Sequence, residues 1–194
     1  MTESPLRPEL SGLKAVLLDR DGVLNVDRPD CVHDWSEWRW IPGSAEAVGE
    51  LASLGLRLAL VTNQSCVGRG WVTPETLAET HRRMAVRLRE CGAELESVHV
   101  CPHAPDAGCD CRKPAPGLFH AALAALGLQP EQCLAIGDST RDHVAAAACG
   151  VPTLLVLTGK GARSREALRE ADITPIATCD SLAAAVAWMR GTEA

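Results

Sequence analysis

What most constrains the fold of this chain is an alternation of two hydrophobic periods. Short apolar runs recur at AVLL (15–18), LRLALV (56–61), VHV (98–100), CLAIG (133–137) and TLLVL (153–157). Each is too short for a helix and suits a buried strand. Between them stand segments with helical spacing: SAEAVGELASLG, PETLAETHRRMAVRLRECG, PGLFHAALAALG and STRDHVAAAACG. These open on Ser or Pro and close on Gly, residues that start and stop helices. Strand and helix in alternation predict the α/β class, a Rossmann-like, doubly wound parallel sheet covered by helices on both faces. The 194 residues, 46% hydrophobic, suffice for one such core, so a single domain over 1–194 is expected. Two stretches, Val26 to Pro42 and Cys101 to Pro116, fit neither period and are expected to be functional or metal-organised loops.

A formal net charge of -6 with 23% charged residues excludes a basic nucleic-acid binder. The opening MTESPLRPEL lacks the apolar core of a signal peptide, and no stretch reaches the roughly 18 apolar residues that cross a bilayer. A cytoplasmic protein with a small-molecule partner, and neither nucleic acid nor membrane, is expected. Oligomeric state is not set by the sequence, although a monomer is compatible with it. Nine cysteines without a secretory leader point away from a disulfide framework and toward metal ligation or core packing.

In a sheet of this kind the ligand site lies at the carboxyl ends of the strands. The first apolar run leads into Asp19-Arg20-Asp21-Gly22-Val23-Leu24-Asn25. Two carboxylates one residue apart, followed by a Gly that permits an unusual turn, can share a hard cation while doing different work. The same pair could merely cap a helix or hold a turn. An EF-hand is excluded, because its sixth and twelfth positions hold Leu24 and Asp30. The second run ends in Val61-Thr62-Asn63-Gln64-Ser65 and the fourth in Ile136-Gly137-Asp138-Ser139-Thr140-Arg141-Asp142, with Arg112-Lys113-Pro114 between. A hydroxyl, a lysine and a third acidic group at such ends complete the set that in-line phosphoryl transfer needs. Gly159-Lys160-Gly161 lacks the preceding Gly of a Walker loop, where Leu154 stands, and nothing matches a dinucleotide fingerprint.

DRDGVLN, VTNQS, CRKP and GDSTRD, in this order, resemble the four motifs of the haloacid dehalogenase-like phosphatase superfamily. The resemblance implies that Asp19 is the nucleophile and Asp21 the acid and base. Thr62 and Lys113 would hold the phosphoryl oxygens. Asp138 would complete a Mg2+ site with the Asp19 carboxylate and the Asp21 backbone carbonyl. Asp142 reads better as a group that orients others than as a ligand, being a helix turn beyond Asp138.

Cys101-Pro102-His103 and Cys109-Asp110-Cys111 form a Cys3His set, the ligand type and number of a closed structural Zn2+ site. The alternative, buried thiols beside an incidental His, fits poorly with a segment rich in Pro, Asp and Gly. Because Cys111 precedes Arg112 and Lys113, zinc in the 101–111 loop would pin both cations. Cys31, Cys66, Cys91, Cys133, Cys149 and Cys179 are scattered and read as thiols without a role.

The same CPH and CxCRKP arrangement is similar to one branch of that superfamily, which holds the heptose 1,7-bisphosphate 7-phosphatases and the histidinol-phosphatases. The intervals after Asn25 and after Ser65 leave no room for a cap domain, so a capless fold is expected. Specificity then falls to Asp27 in the first loop, to Asn63, Gln64 and Ser65 with Arg69 beyond, and to Arg112. Arg28 and Asp30 are weaker candidates for contact. Trp35, Trp38 and Trp40 favour packing of the loop over sugar stacking. Pro114-Ala115-Pro116-Gly117 and Leu157-Thr158-Gly159-Lys160-Gly161 look like the heptose members, which implies removal of the 7-phosphate through a phosphoaspartate. Histidinol-phosphate hydrolysis is the alternative within the class, and a non-catalytic zinc-stabilised module that binds a phosphoryl ligand is the alternative outside it.

Overall fold

In the computed structural model, which describes residues 6–192, the alternation becomes a six-stranded sheet. The strands are β1 (Ala15–Leu18), β2 (Arg57–Asn63), β3 (Ser97–Cys101), β4 (Cys133–Gly137), β5 (Thr153–Val156) and β6 (Ala177–Cys179). They lie in the order β3-β2-β1-β4-β5-β6, and every pairing is parallel. The helices are α1 (Ser44–Ser53), α2 (Ser65–Gly68), α3 (Pro74–Glu90), α4 (Gly117–Leu126), α5 (Thr140–Ala148), α6 (Gly161–Glu170) and α7 (Leu182–Met189).

Within the apolar runs, alternate residues still serve opposite faces. Val16, Leu18, Leu58, Leu60, Leu134 and Ile136 join the core made with Val48 and Leu51 of α1, Met84 and Leu88 of α3, and Val186 of α7. Ala15, Leu17, Ala59, Val61, Cys133 and Ala135 pack instead with Leu118, Phe119 and Ala122 of α4 and Ala145 of α5. Truncation of a fully buried member such as Leu60 would cost about 2–5 kcal/mol.

Local chemistry sets the helix ends. The Thr73 hydroxyl accepts from the Thr76 amide, with Pro74 beginning α3. Ser139 and Asp142 form a reciprocal capping box at α5.

The chain winds outward from β1 to β2 and β3, then returns to the other side of β1 for β4 and proceeds to β5 and β6. The reversal opens a crevice at the carboxyl ends of β1 and β4, where the acidic motifs lie. Between β1 and α1 the chain makes only a 3-10 turn at Trp35–Glu37, and between β2 and β3 only α2 and α3, so the described residues contain no inserted cap. The sixth strand was not legible as an apolar run: it is three half-exposed residues at the sheet edge.

Candidate active site

Asp19 leaves β1 with its amide donating to the Ile136 carbonyl of β4, which places its side chain over the crevice. Lys113 Nζ is buried and has three acceptors: Asp19 Oδ1 at 3.0 Å, Asp142 Oδ1 at 2.5 Å and the Val61 carbonyl at 2.6 Å. Burial would lower the lysine pKa, but Asp142 and Asp19 together raise it, so its charge is secure. Asn63 fixes this lysine by a pair of hydrogen bonds to its backbone, Nδ2 donating to the Lys113 carbonyl and Oδ1 accepting from its amide.

Asp138 is buried beneath two glycines. A Cβ on Gly22 or on Gly159 would stand 2.1 Å from Asp138 Oδ2, and both positions have left-handed backbone, at φ +86° and +57°. The same oxygen accepts from the Lys160 amide at 2.7 Å. Burial, with Asp19 and Asp142 nearby, pushes the Asp138 carboxyl up to about 8. Burial and Asp142 likewise raise Asp19 to about 6, although Lys113 opposes them. Carboxylate oxygens of Asp19, Asp138 and Asp142 lie within 4.8 Å of one another. Such a crowd is held in its charged form by a hard divalent cation, which the donor set therefore fits.

Asp21 faces elsewhere. Its Oδ1 accepts from Arg20 Nη2 and Asn25 Nδ2, each at 2.9 Å, and its Oδ2 from Gln64 Nε2 at 2.7 Å. Burial would raise this carboxyl, but the Arg20 guanidinium and these donors hold it below its usual range. Arg20 is itself buried, lies over Trp38 and contacts His81 Nε2 at 3.2 Å. Burial, aided by Arg20, lowers His81 to about 4 and so keeps the imidazole neutral.

A cavity of about 260 Å3 opens over these groups, walled by Asp19, Asp21, Asp138 and Lys113. Of the residues expected to contact substrate, Asp27, Asn63, Gln64, Ser65 and Arg112 line it. Thr62 does not line it. Thr62 is fully buried and accepts from Gln64 Nε2 at 2.8 Å, which leaves its hydroxyl proton free to donate. Asp27 pairs with Lys160 at 2.7 Å across the mouth. Arg28 is held within its own loop by Asp30 at 3.0 Å and the Cys31 carbonyl at 2.9 Å. Sequence reasoning missed Lys160 and Arg141 as walls of the cavity, along with the His81–Arg20 support of Asp21. A cation directly after β5 and another in the first turn of α5 were the available signals. The tryptophans pack rather than reach the cavity: Trp35 stacks on Trp38 and Trp40 meets Trp38 edge-on, with centroids 5.3 and 5.1 Å apart.

In the second loop, Cys101 Sγ lies 3.6 Å from His103 Nδ1 and 3.7 Å from Cys109 Sγ. Cys111 Sγ lies 3.2 Å from His103 Nδ1 and 3.6 Å from Cys109 Sγ. Tetrahedral Zn2+ with arms of about 2.3 Å to sulfur separates its ligands by about 3.7 Å, so the four atoms fit that ion.

Part of the chain, residues 110–185, matches the family model described as HAD-hydrolase-like. A D-glycero-beta-D-manno-heptose-1,7-bisphosphate 7-phosphatase of Pseudomonas putida is 42% identical over 154 residues, covering 79% of this chain and 88% of the relative. One from Neisseria meningitidis is 40% identical over 152 residues, 78% of this chain and 81% of the relative. The chain belongs to the heptose-bisphosphate phosphatase family. A crystal structure of a D,D-heptose 1,7-bisphosphate phosphatase from B. bronchiseptica, complexed with magnesium and phosphate, superposes with a TM-score of 0.85. It is 36% identical and covers 91% of this chain and 97% of that one. This heptose-bisphosphate phosphatase family member is thus a phosphoric monoester hydrolase of HAD-like fold, with the cluster of Asp19, Asp138 and Lys113 at its centre.

Proposed function

We propose that this enzyme removes the 7-phosphate of D-glycero-D-manno-heptose 1,7-bisphosphate, with Asp19 as the nucleophile. The observation that carries the mechanism is Lys113 Nζ, fully desolvated and 3.0 Å from Asp19 Oδ1 at the floor of an open cavity. An anionic nucleophile attacking a phosphate dianion meets like-charge repulsion, and a buried cation at this spot offsets it. Asp19, Asp138 and the Asp21 carbonyl would hold Mg2+, which when bound adds charge neutralisation and orients the phosphoryl oxygens.

Asp19 attacks phosphorus, the bond from phosphorus to the sugar oxygen breaks, and Asp21 gives that oxygen a proton. A phosphoaspartate remains, and Asp21, now a carboxylate, takes a proton from the water that hydrolyses it. The donors around Asp21 favour its charged form and so suit the second half of the cycle. The approach of the substrate's negative charge raises its proton affinity for the first half. Thr62 and Lys113 hold phosphoryl oxygens, while Asn63 and Gln64 act through Lys113 and Asp21. Asp27, Ser65 and Arg112 meet the sugar-phosphate, and Cys101, His103, Cys109 and Cys111 would bind a structural Zn2+ that fixes Arg112 and Lys113. A single domain acting on a small sugar phosphate in the cytoplasm accords with this reading.

Phosphate release from heptose 1,7-bisphosphate, fructose 1,6-bisphosphate and histidinol phosphate, with and without Mg2+, tests the proposal. The heptose ester should be hydrolysed fastest and only with the metal. Faster turnover of histidinol phosphate would overturn the substrate while leaving the mechanism, and no turnover of any ester would overturn both.

A further inference from the structure

Asp27 and Lys160 come from two loops, one after β1 and one after β5, that meet at the active cavity. Lys160 is fixed through its main chain. Its amide donates to Asp138 Oδ2 at 2.7 Å, and two residues earlier the Thr158 hydroxyl donates to the Gly22 carbonyl at 2.6 Å. Asp27 has no such anchor. The Val26 amide before it donates to the Arg39 carbonyl, but among the described residues the Asp27 carboxylate meets only Lys160, with Oδ2 2.7 Å from Nζ. Asp27 also borders a second hollow of about 410 Å3, lined with Ile41, Pro42 and Gly159, so its side chain has room to turn away from the active cavity. Both side chains line that active cavity and stay partly exposed, and the second carboxylate oxygen, Oδ1, is left to accept.

We propose that Lys160 is a positioning residue for substrate choice: it holds the Asp27 carboxylate over the cavity, with Oδ1 turned to a hydroxyl of the leaving sugar. An unpaired carboxylate on this wall would repel a phosphate dianion. Paired with an ammonium it carries no net charge, yet Oδ1 still accepts strongly from an O–H group. The pair therefore reads the hydroxyl-bearing part of the substrate and leaves phosphate to the arginines of the wall. Because main-chain bonds set Lys160, Asp27 is oriented before the substrate arrives, and less ordering is needed on binding. A partly exposed ion pair contributes little to the stability of a fold, so variants of Lys160 should fold and their kinetics should report on the site. The assignment rests on the sugar-phosphate reading of the cavity.

The test measures kcat and KM of the full chain, supplied with Mg2+, on heptose 1,7-bisphosphate and on p-nitrophenyl phosphate, whose alcohol carries no further hydroxyl. Lys160→Met should lower kcat/KM on the bisphosphate roughly tenfold, mainly through KM, and several times less on p-nitrophenyl phosphate. Lys160→Arg, which keeps the charge, should recover most of that loss. Asp27→Asn should also cost roughly tenfold on the bisphosphate. Because Lys160 acts through Asp27, adding Lys160→Met to Asp27→Asn should cost no more than about threefold further. The Mg2+ concentration that gives half-maximal activity should stay at the wild-type value in Lys160→Met, since the bond to Asp138 is made by the main chain. Equal losses on both esters, losses that multiply to about a hundredfold in the double variant, or a raised Mg2+ requirement would overturn the assignment. Wild-type turnover of p-nitrophenyl phosphate without turnover of the heptose bisphosphate would instead remove the substrate reading, and the assignment with it.

Discussion

Each side chain at the candidate site has its state set by what it touches. Asp19→Asn keeps size and polarity but removes the attacking charge, so turnover should fall by about three orders of magnitude or more, with circular dichroism unchanged. Arg112 makes a different kind of prediction. It lines the cavity, and its Nη1 is buried without a partner. Arg112→Lys keeps the charge but loses the planar fork, and should cost about 1.5–3 kcal/mol, or roughly tenfold to hundredfold in kcat/KM, on the heptose bisphosphate. p-Nitrophenyl phosphate, which lacks the second phosphate and the sugar, should be affected much less, and an equal loss on both would remove the contact from the reading. These residues were legible in the sequence because their chemistry is written in their type and their place after an apolar run. What was not legible is the state of each group. The low pKa of Asp21 depends on Arg20, which in turn leans on His81 and Trp38, residues far away in the chain. Nothing local in DRDG announces that support.

At the scale of elements, two loops carry what the strands only position. Beyond Cys101, which ends β3, the 101–111 loop has no helix or strand, and the Cys101, His103, Cys109 and Cys111 side chains face one another. Cys109→Ser should lower both zinc content and the thermal midpoint, and should also weaken kcat/KM, because Lys113 lies two residues beyond Cys111. A variant that keeps full stability and activity without zinc would argue against a structural metal here. The Lys160 loop tests the cradle of Asp138. Gly159→Ala forces a Cβ against that carboxylate in left-handed backbone, so Mg2+ should be needed at markedly higher concentration, as read from the activity titration. The sequence marked the cluster of Cys101, His103, Cys109 and Cys111 clearly, since tightly spaced Cys and His in a polar segment have few other uses. It showed Gly159-Lys160-Gly161 only as a failed Walker loop. The role of that run depends on β5 lying beside β4, a fact of strand order rather than of residue type.

For the whole molecule, stability and charge are joined through the acidic crevice. With Asp19 raised to about 6 and Asp138 to about 8, against an ordinary value of 3.8, the metal-free fold holds protons more tightly than the unfolded chain. That share of stability is complete below the ordinary value and is lost as pH rises through about 6 and then about 8. Mg2+ replaces the lost protons, so the rise in Tm on adding Mg2+ should be larger near pH 8 than near pH 5.5. A Mg2+ effect that is flat with pH would mean that the carboxylates do not ionise in this way. The alternating pattern conveyed most of the sheet, since buried parallel strands read as apolar runs. It missed β6, whose edge position demands little hydrophobicity. The walls of the cavity carry a further consequence for encounter with substrate. The chain as a whole bears a charge of -6 and repels a bisphosphate at long range, yet Arg28, Arg69, Arg112, Arg141 and Lys160 ring the entrance. That repulsion acts at a distance only in dilute salt; at physiological salt the Debye length is about 8 Å and charges farther from the substrate are largely screened. Within it only the rim matters, so added salt removes the far repulsion first and the near attraction last. Capture should therefore tolerate moderate ionic strength, unlike a surface that gathers its ligands from afar.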